Sequence, residues 1–237
     1  MRKILRVLKK YLPEYLPIPY LYKLKLKIFI LPKHHWTQYL QKTYEPETFE
    51  KVKDIFKNNE INSFWDIGAN VGMYSVFIAS RYACNINAFE PTKKYFKILK
   101  FNTSFSETIK CHNFGIGSSN NTTDIVLTEE PGSNFISTNK LANNYKNLEI
   151  CEIKAIKKLS NIEPPDLVKI DVEGFEYEIL KSSIDFFKKN RTILILEIDE
   201  EHLQRYSSCK NDILDILKSH NYLIERISNS NNYFCFL

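Results

Sequence analysis

The sequence lacks several features that would place it in a particular class of protein. It has no apolar run long enough to span a bilayer, and no compact apolar block with a small-residue cleavage site follows its basic N-terminus. Its five cysteines are scattered without a C-x-x-C pair, which argues against a disulfide framework or a zinc site and for a reducing compartment. No internal repeat is visible. We therefore expect a cytoplasmic globular protein without a secretory signal.

Positive charge is concentrated at one end of the chain. The net charge is +5, but residues 1–33 carry nine Lys and Arg side chains against one acid, Glu14, so that residues 34–237 sum to about −3. The main body therefore lacks the basic excess that is typical of nucleic-acid-binding proteins, and we expect no nucleic-acid partner.

The basic N-terminal residues have the pattern of an amphipathic helix. Apolar side chains recur at helical spacing over 1–12 with Arg and Lys on the remaining face, and a proline ends the pattern. Pro17 and Pro19 favour extended or turned backbone after it. Two interpretations stay open: a helix packed on the domain with a solvated basic face, or a helix lying on an anionic membrane surface. We expect residues 1–45 to form a separate basic segment ahead of a domain over 46–237.

Strand patterns alternate with helical patterns from residue 61 onwards, after a helix predicted over 47–58. The predicted strands are 61–68, 85–91, 109–117, 165–171 and 191–199, and the predicted helices are 72–82, 92–102, 175–189 and about 209–220. This alternation predicts an α/β fold whose parallel sheet is covered on both faces. Two final apolar runs, 222–228 and 231–237, meet across an Asn/Ser turn and predict an antiparallel pair. The polar residues 115–160 predict an insertion of short strands or loops beside the site.

A glycine-rich turn follows the first predicted strand. Asp66 ends that strand, and Gly68, Asn70 and Gly72 follow in the pattern D-x-G-x-N-x-G, where open α/β sheets bind ligands. Glu90 ends the next strand, where a carboxylate can accept hydrogen bonds from both ribose hydroxyls of a nucleoside. The turn and the two acids suit a nucleoside that carries positive charge, such as S-adenosylmethionine.

Two alternative roles for this turn are disfavoured. A nicotinamide-dependent oxidoreductase would have glycine in place of Asn70, and an acid at Asp66 opposes binding of a pyrophosphate. A turn whose only role is to pack its helix against the sheet would not explain the carboxylates of Asp66 and Glu90 at the strand ends.

A second group of charged residues lies at the ends of later strands. Lys169 and Asp171 share one side of a strand that should be buried, where charges are costly unless they are paired. Glu173 follows in the turn, Glu197 ends the next strand, and His202 comes after it. We expect these groups to converge on one rim, with the three acids as candidate general bases. An ion pair between Lys169 and Asp171 that only braces the sheet is an equal alternative.

Four stretches carry a family resemblance. They are FWDIGANVGMYSVFIAS (64–80), NAFEPTKKYFKILKFN (87–102), DLVKIDVEGFEYEIL (166–180) and ILILEI (193–198). In order and spacing they resemble the FkbM family of S-adenosylmethionine-dependent methyltransferases, over about residues 61–200. The resemblance implies a class I methyltransferase fold, which is a Rossmann-like three-layer sandwich around a seven-stranded, mostly parallel sheet with an antiparallel last strand. It also implies an O-methyltransferase that acts on sugars, glycolipids or polyketide-type metabolites.

The resemblance further implies which residues bind the cofactor. The glycine turn would line its methionine end, Glu90 would bind the ribose, and residues 114–117 would flank the adenine. The predicted cofactor-binding residues are Asp66, Gly68, Ala69, Asn70, Gly72, Tyr74, Ser75, Glu90, Pro91, Gly115 and Ile116. The predicted catalytic residues are Lys169, Asp171, Glu173, Glu197 and His202.

The acids at this rim could also hold a divalent cation, with Asp171 and Glu197 as ligands. Some class I O-methyltransferases bind a metal at the end of this same strand. The Asp-Asn pair usually found after the next strand is replaced here by Glu197–Ile198–Asp199. We therefore predict no metal site and keep Asp171 and Glu197 only as an alternative.

The overall prediction is an enzyme that transfers a methyl group from S-adenosylmethionine to a sugar hydroxyl, leaving S-adenosylhomocysteine. Its pathway would be the synthesis of a surface polysaccharide or a nucleotide-activated sugar. The basic residues 1–33 would contact anionic lipid at the inner membrane face, substrate phosphates or a second copy in a homodimer. Two alternatives stay open: a methyltransferase of another small-molecule hydroxyl, and a non-catalytic glycan- or membrane-binding protein on the same fold.

Overall fold

The computed structural model describes residues 15–22, 25–32, 44–128, 133–137 and 145–237. The strands are β1 (Tyr15–Tyr22), β2 (Lys25–Pro32), β3 (Ser63–Ile67), β4 (Asn85–Phe89), β5 (Ile109–His112), β6 (Gly115–Gly117), β7 (Asn121–Val126), β8 (Phe135–Ile136), β9 (Leu148–Ala155), β10 (Leu167–Ile170), β11 (Ile193–Glu197), β12 (Leu223–Arg226) and β13 (Asn232–Phe236). The α-helices are α1 (Pro46–Asn58), α2 (Met73–Ala79), α3 (Lys93–Thr103), α4 (Glu176–Lys189), α5 (Glu200–Gln204) and α6 (Lys210–Ser219).

Seven strands form the central sheet, in the order β12-β13-β11-β10-β3-β4-β5. Neighbours from β11 to β5 run parallel, whereas β13 is antiparallel to both β11 and β12. The direction in which the chain adds strands reverses between β3 and β10, and open α/β sheets bind ligands outside the carboxyl ends at such a point. The predicted seven-stranded, mostly parallel sheet with an antiparallel last strand is confirmed.

Helices cover both faces of this sheet because its strands are apolar on both sides. Phe64 belongs to the same buried apolar cluster as Ile78 of α2, whereas its neighbour Trp65 belongs to a second cluster that contains Ile179 of α4 and Leu217 of α6. All five residues of β3 are buried. Burial on both sides is the usual state of a parallel strand, and it makes the polar residues at the strand ends conspicuous.

The described residues of the segment 115–160 form a second sheet, and one predicted strand is split between the two sheets. The expected strand over 109–117 divides into β5, which joins the central sheet, and β6, which joins a four-stranded sheet in the order β6-β9-β7-β8. The side-chain amide of Asn113 donates to the carbonyls of Glu90 (3.0 Å) and Pro91 (2.9 Å), and these bonds turn the chain out of the central sheet.

Two helices also differ from the sequence prediction. The helix expected over 72–82 is shorter and spans Met73–Ala79. The strand predicted over 191–199 ends at Glu197, and the short helix α5, which the sequence patterns do not predict, follows it. Asp199 caps α5, since its carboxylate accepts hydrogen bonds from the backbone N–H of Glu201 (2.9 Å) and His202 (3.3 Å).

The described part of the N-terminal segment is the β1–β2 hairpin, which packs on α3. Phe29 and Leu31 are buried, and Ile30 exchanges two hydrogen bonds with the side-chain amide of Asn102, at 2.7 and 3.0 Å. The predicted helix over 1–12 lies outside the described residues. Within the described part of the chain, no helix has the length and apolar character that crossing a membrane requires.

Candidate active site

A cavity of about 540 Å³ lies at the carboxyl ends of β3, β4, β10 and β11. Both groups of residues singled out in the sequence meet there. The described residues that line it are 44–47, 66–71, 90–92, 115–116, 133–136, 171–173 and 229–232, with Met73, Tyr74, Tyr95, Ile125, Ile153, Lys169, Phe175 and Glu197.

The glycine turn forms the floor of this cavity between β3 and α2. Gly68 has a φ of +82°, and a Cβ at this position would lie 1.8 Å from the backbone oxygen of Asp171. Only glycine tolerates both the left-handed backbone and this close approach. Asn70 (φ 51°) and Gly72 (φ 89°) are also left-handed, so the chain bends sharply before α2 begins. The turn therefore presses directly against the end of β10.

Asp66 is held at the end of β3 by the helix that follows the turn. Its side chain is 3% exposed and accepts hydrogen bonds from the hydroxyl (2.6 Å) and the backbone N–H (3.2 Å) of Ser75. Burial raises the pKa of Asp66, and the bonds from Ser75 oppose this change.

Glu90 is fixed in a similar way at the end of β4. It accepts hydrogen bonds from the hydroxyl (2.5 Å) and backbone N–H (2.9 Å) of Thr92 and from the backbone N–H of Asn70 (3.0 Å). Burial nevertheless raises the pKa of Glu90 to about 7. Its charge therefore depends on the pH in the neutral range.

The polar groups around the turn match the donors of S-adenosylmethionine. The side-chain oxygen of Asn70 is buried and has no hydrogen-bond partner among the described residues, so a ligand donor would satisfy it. Asp66 and Glu90 add two carboxyl groups beside it. An ammonium group and two ribose hydroxyls are the donors that such acceptors require, so the residues present fit the expected cofactor.

Lys169 lies on β10, in register with Asp66 on the neighbouring strand β3, and lines the same cavity. It is 2% exposed, and its Nζ lies 2.5 Å from Oδ2 of Asp171 and 4.6 Å from the ring centre of Tyr74. Burial opposes its charge, but the carboxylates of Asp171, Glu45 and Glu197 more than compensate and raise its pKa. Lys169 therefore remains a cation although it is buried.

A hydrogen bond joins the side chains of Asp171 and Glu197, and the pKa values of the two groups are shifted in opposite directions. Burial favours protonated Asp171, but Lys169 and the bond from Glu197 lower its pKa overall. The charge of Asp171, followed by burial, raises the pKa of Glu197 to about 11. At neutral pH, Glu197 is therefore a protonated donor to an ionised Asp171.

Glu173 and His202 form a third contact at the same rim. Oε2 of Glu173 lies 3.0 Å from Nδ1 of His202. Burial, followed by the charge of Asp171, raises the pKa of Glu173 to about 8, and burial lowers the pKa of His202. Glu173, Glu197 and His202 each offer one ligand atom within 4.8 Å of the others, so they could hold a cation. The sequence offered Asp171 and Glu197 as the alternative metal ligands. Of these two, only Glu197 belongs to this group.

The cavity brings together most of the residues selected from the sequence. Three of them do not line it: Gly72, Ser75 and His202. Ser75 is fully buried and donates hydrogen bonds to the carboxylate of Asp66, Gly72 is the N-cap residue directly before α2, and His202 contacts Glu173 from α5. These three residues position other groups at the site.

Sequence reasoning missed two walls of the cavity. The first is the segment 44–47, where Glu45 accepts hydrogen bonds from the hydroxyl of Tyr74 and the side-chain amide of Asn232. The second is the turn 229–232 between β12 and β13. The antiparallel direction of β13 was a usable signal, because such a strand starts at the edge where its parallel neighbours end.

Comparisons with known proteins agree with this architecture. A family model described as the methyltransferase FkbM domain matches residues 66–224. The hexuronic acid methyltransferase AglP of Haloferax volcanii is 25% identical over 141 residues, which are 57% of this chain and 56% of that protein. The chain therefore spans little more than half the length of this relative.

Solved structures show a similar fold at low sequence identity. A Staphylococcus aureus protein provisionally assigned as a caffeoyl-CoA O-methyltransferase superposes with a TM-score of 0.51 at 11% identity, covering 80% of this chain and 83% of that one. An FkbM methyltransferase from Methylobacillus flagellatus gives a TM-score of 0.49 at 16% identity, covering 74% of this chain and 43% of that one. At 11% identity, the likeness to the Staphylococcus structure shows the fold alone.

Proposed function

The chain is a methyltransferase that belongs to the FkbM domain family, and on that premise we propose that it uses S-adenosylmethionine to methylate a sugar hydroxyl. The observation that carries this proposal is the pair Asp66 and Glu90. They end adjacent strands beside a left-handed glycine turn and line one cavity together with Lys169 and Asp171 at the end of the neighbouring strand β10. The sugar is supported by the name of the Haloferax relative, a hexuronic acid methyltransferase.

The first group of residues would hold the cofactor. Asp66 and the unpartnered side-chain oxygen of Asn70 would accept hydrogen bonds from its ammonium group, and Glu90 would accept them from its ribose hydroxyls. When bound there, S-adenosylmethionine would supply an electrophilic methyl group for the acceptor oxygen, with the S–C electron pair left on the sulfur of S-adenosylhomocysteine. The remaining contribution of the protein is to align the acceptor oxygen and to take up its proton.

Asp171 is the group that accepts this proton. It is the one acid of the candidate three that is ionised at neutral pH, because the pKa of Glu173 is raised to about 8 and that of Glu197 to about 11. The hydroxyl proton moves to the Asp171 carboxylate as the new O–C bond forms. Lys169 keeps Asp171 ionised before the step, and Glu197 donates a hydrogen bond to it.

Calorimetric titration with S-adenosylhomocysteine tests the cofactor half of the proposal. The wild-type chain should bind, and Glu90→Ala should weaken binding by about 10- to 100-fold, since a charge-assisted hydrogen bond is lost. Glu107→Ala, in the exposed turn between α3 and β5, is the matched control and should bind normally. A well-folded wild-type chain that does not bind would refute the proposal.

Asp171→Asn separates binding from chemistry. It should bind S-adenosylhomocysteine within about threefold of wild type and lose about 10²- to 10⁴-fold in turnover on an acceptor found among activated sugars, which is the usual contribution of a general base. Asp54→Asn, on the exposed side of α1, is the control. Normal turnover by Asp171→Asn would remove this residue from the mechanism.

The basic sequence of the N-terminal segment supports a proposal for where in the cell the chain acts. Its basic residues 1–33 fit attachment to the inner face of a membrane, where a precursor of a surface polysaccharide would be methylated. Deletion of residues 1–12 should reduce co-sedimentation with anionic vesicles without changing the affinity for S-adenosylhomocysteine. Unchanged co-sedimentation would argue for contact with substrate phosphates or with a second copy instead.

A further inference from the structure

We infer that the acceptor sugar enters the cavity as a ring without an acidic group, as a hexose or an aminohexose but not a uronate. The inference rests on the proposed function, because it concerns the acceptor of that same reaction. It departs from the relative AglP, whose name specifies hexuronic acid.

The walls of the cavity are strongly acidic. Among the described lining residues there are seven carboxyl side chains and one lysine, with no arginine or histidine. That lysine, Lys169, already forms an ion pair with Asp171 at 2.5 Å. A carboxylate on the acceptor would meet the ionised Asp171 and find no unpaired cation on the described walls, so its desolvation would not be compensated.

The side-chain oxygen of Asn232 adds a buried hydrogen-bond acceptor to the cavity wall. It starts β13 directly opposite Glu197, is 3% exposed and lines the cavity. Its side-chain amide donates to Glu45 and to the hydroxyl of Thr48, both at 3.2 Å, whereas its oxygen has no partner among the described residues. A ligand hydroxyl or ammonium group would satisfy this oxygen, and an ionised carboxylate would not.

The turn next to Asn232 has the chemistry of a sugar-binding wall. Asn229, Ser230 and Asn231 continue the wall with amide and hydroxyl groups, which can both donate to and accept from ring hydroxyls. This turn and the facing segment 44–47 both lie outside residues 66–224, which the family model matches. Part of the selection of the acceptor is therefore assigned to segments of this chain outside the matched domain, and the acidic residues within that domain supply the rest.

Binding measurements on matched sugars test the inference without requiring turnover. The probes are the methyl glycosides of glucose, glucosamine and glucuronic acid, and the corresponding galacto and manno sets. Each is added to the full chain saturated with S-adenosylhomocysteine, in EDTA and then with Mg²⁺, and binding is read by saturation-transfer difference NMR. In at least one set, the neutral or amino member should bind tenfold or more tightly than its uronate.

Each outcome of this experiment has a distinct meaning. A uronate that binds as tightly as its neutral partner, with or without Mg²⁺, would overturn the inference. Binding of S-adenosylhomocysteine with no binding of any glycoside would also overturn it, while the methyl-transfer proposal would stand. Failure to bind S-adenosylhomocysteine would instead refute the proposed function itself.

A charge reversal on the cavity wall gives a second test. Glu47 lies in the first turn of α1 and is partly exposed, so Glu47→Lys should fold normally. It should shift the ratio of uronate to hexose binding towards the uronate by at least fivefold. Asp54→Lys makes the same charge change on the exposed part of α1 and should leave the ratio unchanged. Equal ratios in the two variants would contradict the inference.

Discussion

Glu90 is the single residue whose protonation most directly controls the cofactor side of the site. It is 6% exposed, and burial raises its pKa to about 7 although Thr92 and Asn70 donate hydrogen bonds to it. The protonated acid offers ribose hydroxyls fewer acceptor sites and no charge. Ligand binding should therefore favour the ionised form.

The affinity for S-adenosylhomocysteine should consequently rise as the pH increases from 6 to 8. Below the pKa the loss approaches about tenfold per pH unit, because a proton must first be released. Glu90→Gln should bind more weakly and with a flat pH profile. Calorimetry in buffers of different ionisation enthalpy checks the release of the proton. A wild-type affinity that is constant over this range would contradict the assignment.

The turn between β10 and α4 shows how one side chain can shape an element. The carboxylate of Glu176, in the first turn of α4, accepts hydrogen bonds from the backbone N–H of Val172 (2.9 Å) and Gly174 (3.3 Å). These bonds hold the left-handed backbone of Glu173 (φ 59°) and Gly174 (φ 107°). A Cβ on Gly174 would lie 2.2 Å from the carbonyl oxygen of His202, so the turn is also pressed against α5.

Removing the carboxylate of Glu176 should destabilise the turn between β10 and α4. Glu176→Ala leaves two buried N–H groups without acceptors, and we expect a loss of about 2–4 kcal/mol in the free energy of unfolding. Glu178→Ala, in the same helical turn but partly exposed, should cost less than about 1 kcal/mol. Urea denaturation at pH 7 measures both variants. Similar losses in the two would show that Glu176 does not anchor the turn.

The buried acids also act on the stability of the whole molecule. The pKa values of Glu90 and Glu176 are raised to about 7, that of Glu173 to about 8 and that of Glu197 to about 11, with burial or a neighbouring carboxylate as the main cause. The unfolded chain releases these protons at lower pH than the folded chain does. The folded state therefore binds more protons over the neutral range, and its stability must fall as the pH rises.

The free energy of unfolding should decrease by about 4 kcal/mol between pH 7 and pH 8.5. About half of this comes from Glu197, which stays protonated in the folded chain but is ionised in the unfolded one, and the rest comes from Glu173, Glu90 and Glu176. Lys169 and Asp171 both stay charged in this window. The pKa values of His112 and His202 are lowered, so these two residues affect the stability mainly below pH 7. Urea denaturation of the full chain measures this decrease. Glu90→Gln should make it smaller, and a stability that rises with pH would contradict the assigned protonation states.

The sequence by itself determined the architecture and the edge at which the site lies. Strand and helix periods alternate clearly, because both faces of a parallel sheet must be buried, and the predicted sheet with its antiparallel last strand is the observed one. Parallel strands end at one edge, so the acids after β3, β4, β10 and β11 had to meet there. Asp66, Glu90, Lys169 and Glu197 were found in this way and do line one cavity.

Only the tertiary structure decided which of these groups carries a charge and which residues complete the walls. The opposite protonation of Asp171 and Glu197 depends on their distances to each other and to Lys169, which no spacing in the sequence encodes. Ser75 proved to support Asp66 from behind. The segment 44–47 and the turn 229–232 lie almost 190 residues apart, and the bond from Asn232 to Glu45 joins them. Local patterns predict elements, whereas contacts between distant segments exist only once the chain has packed.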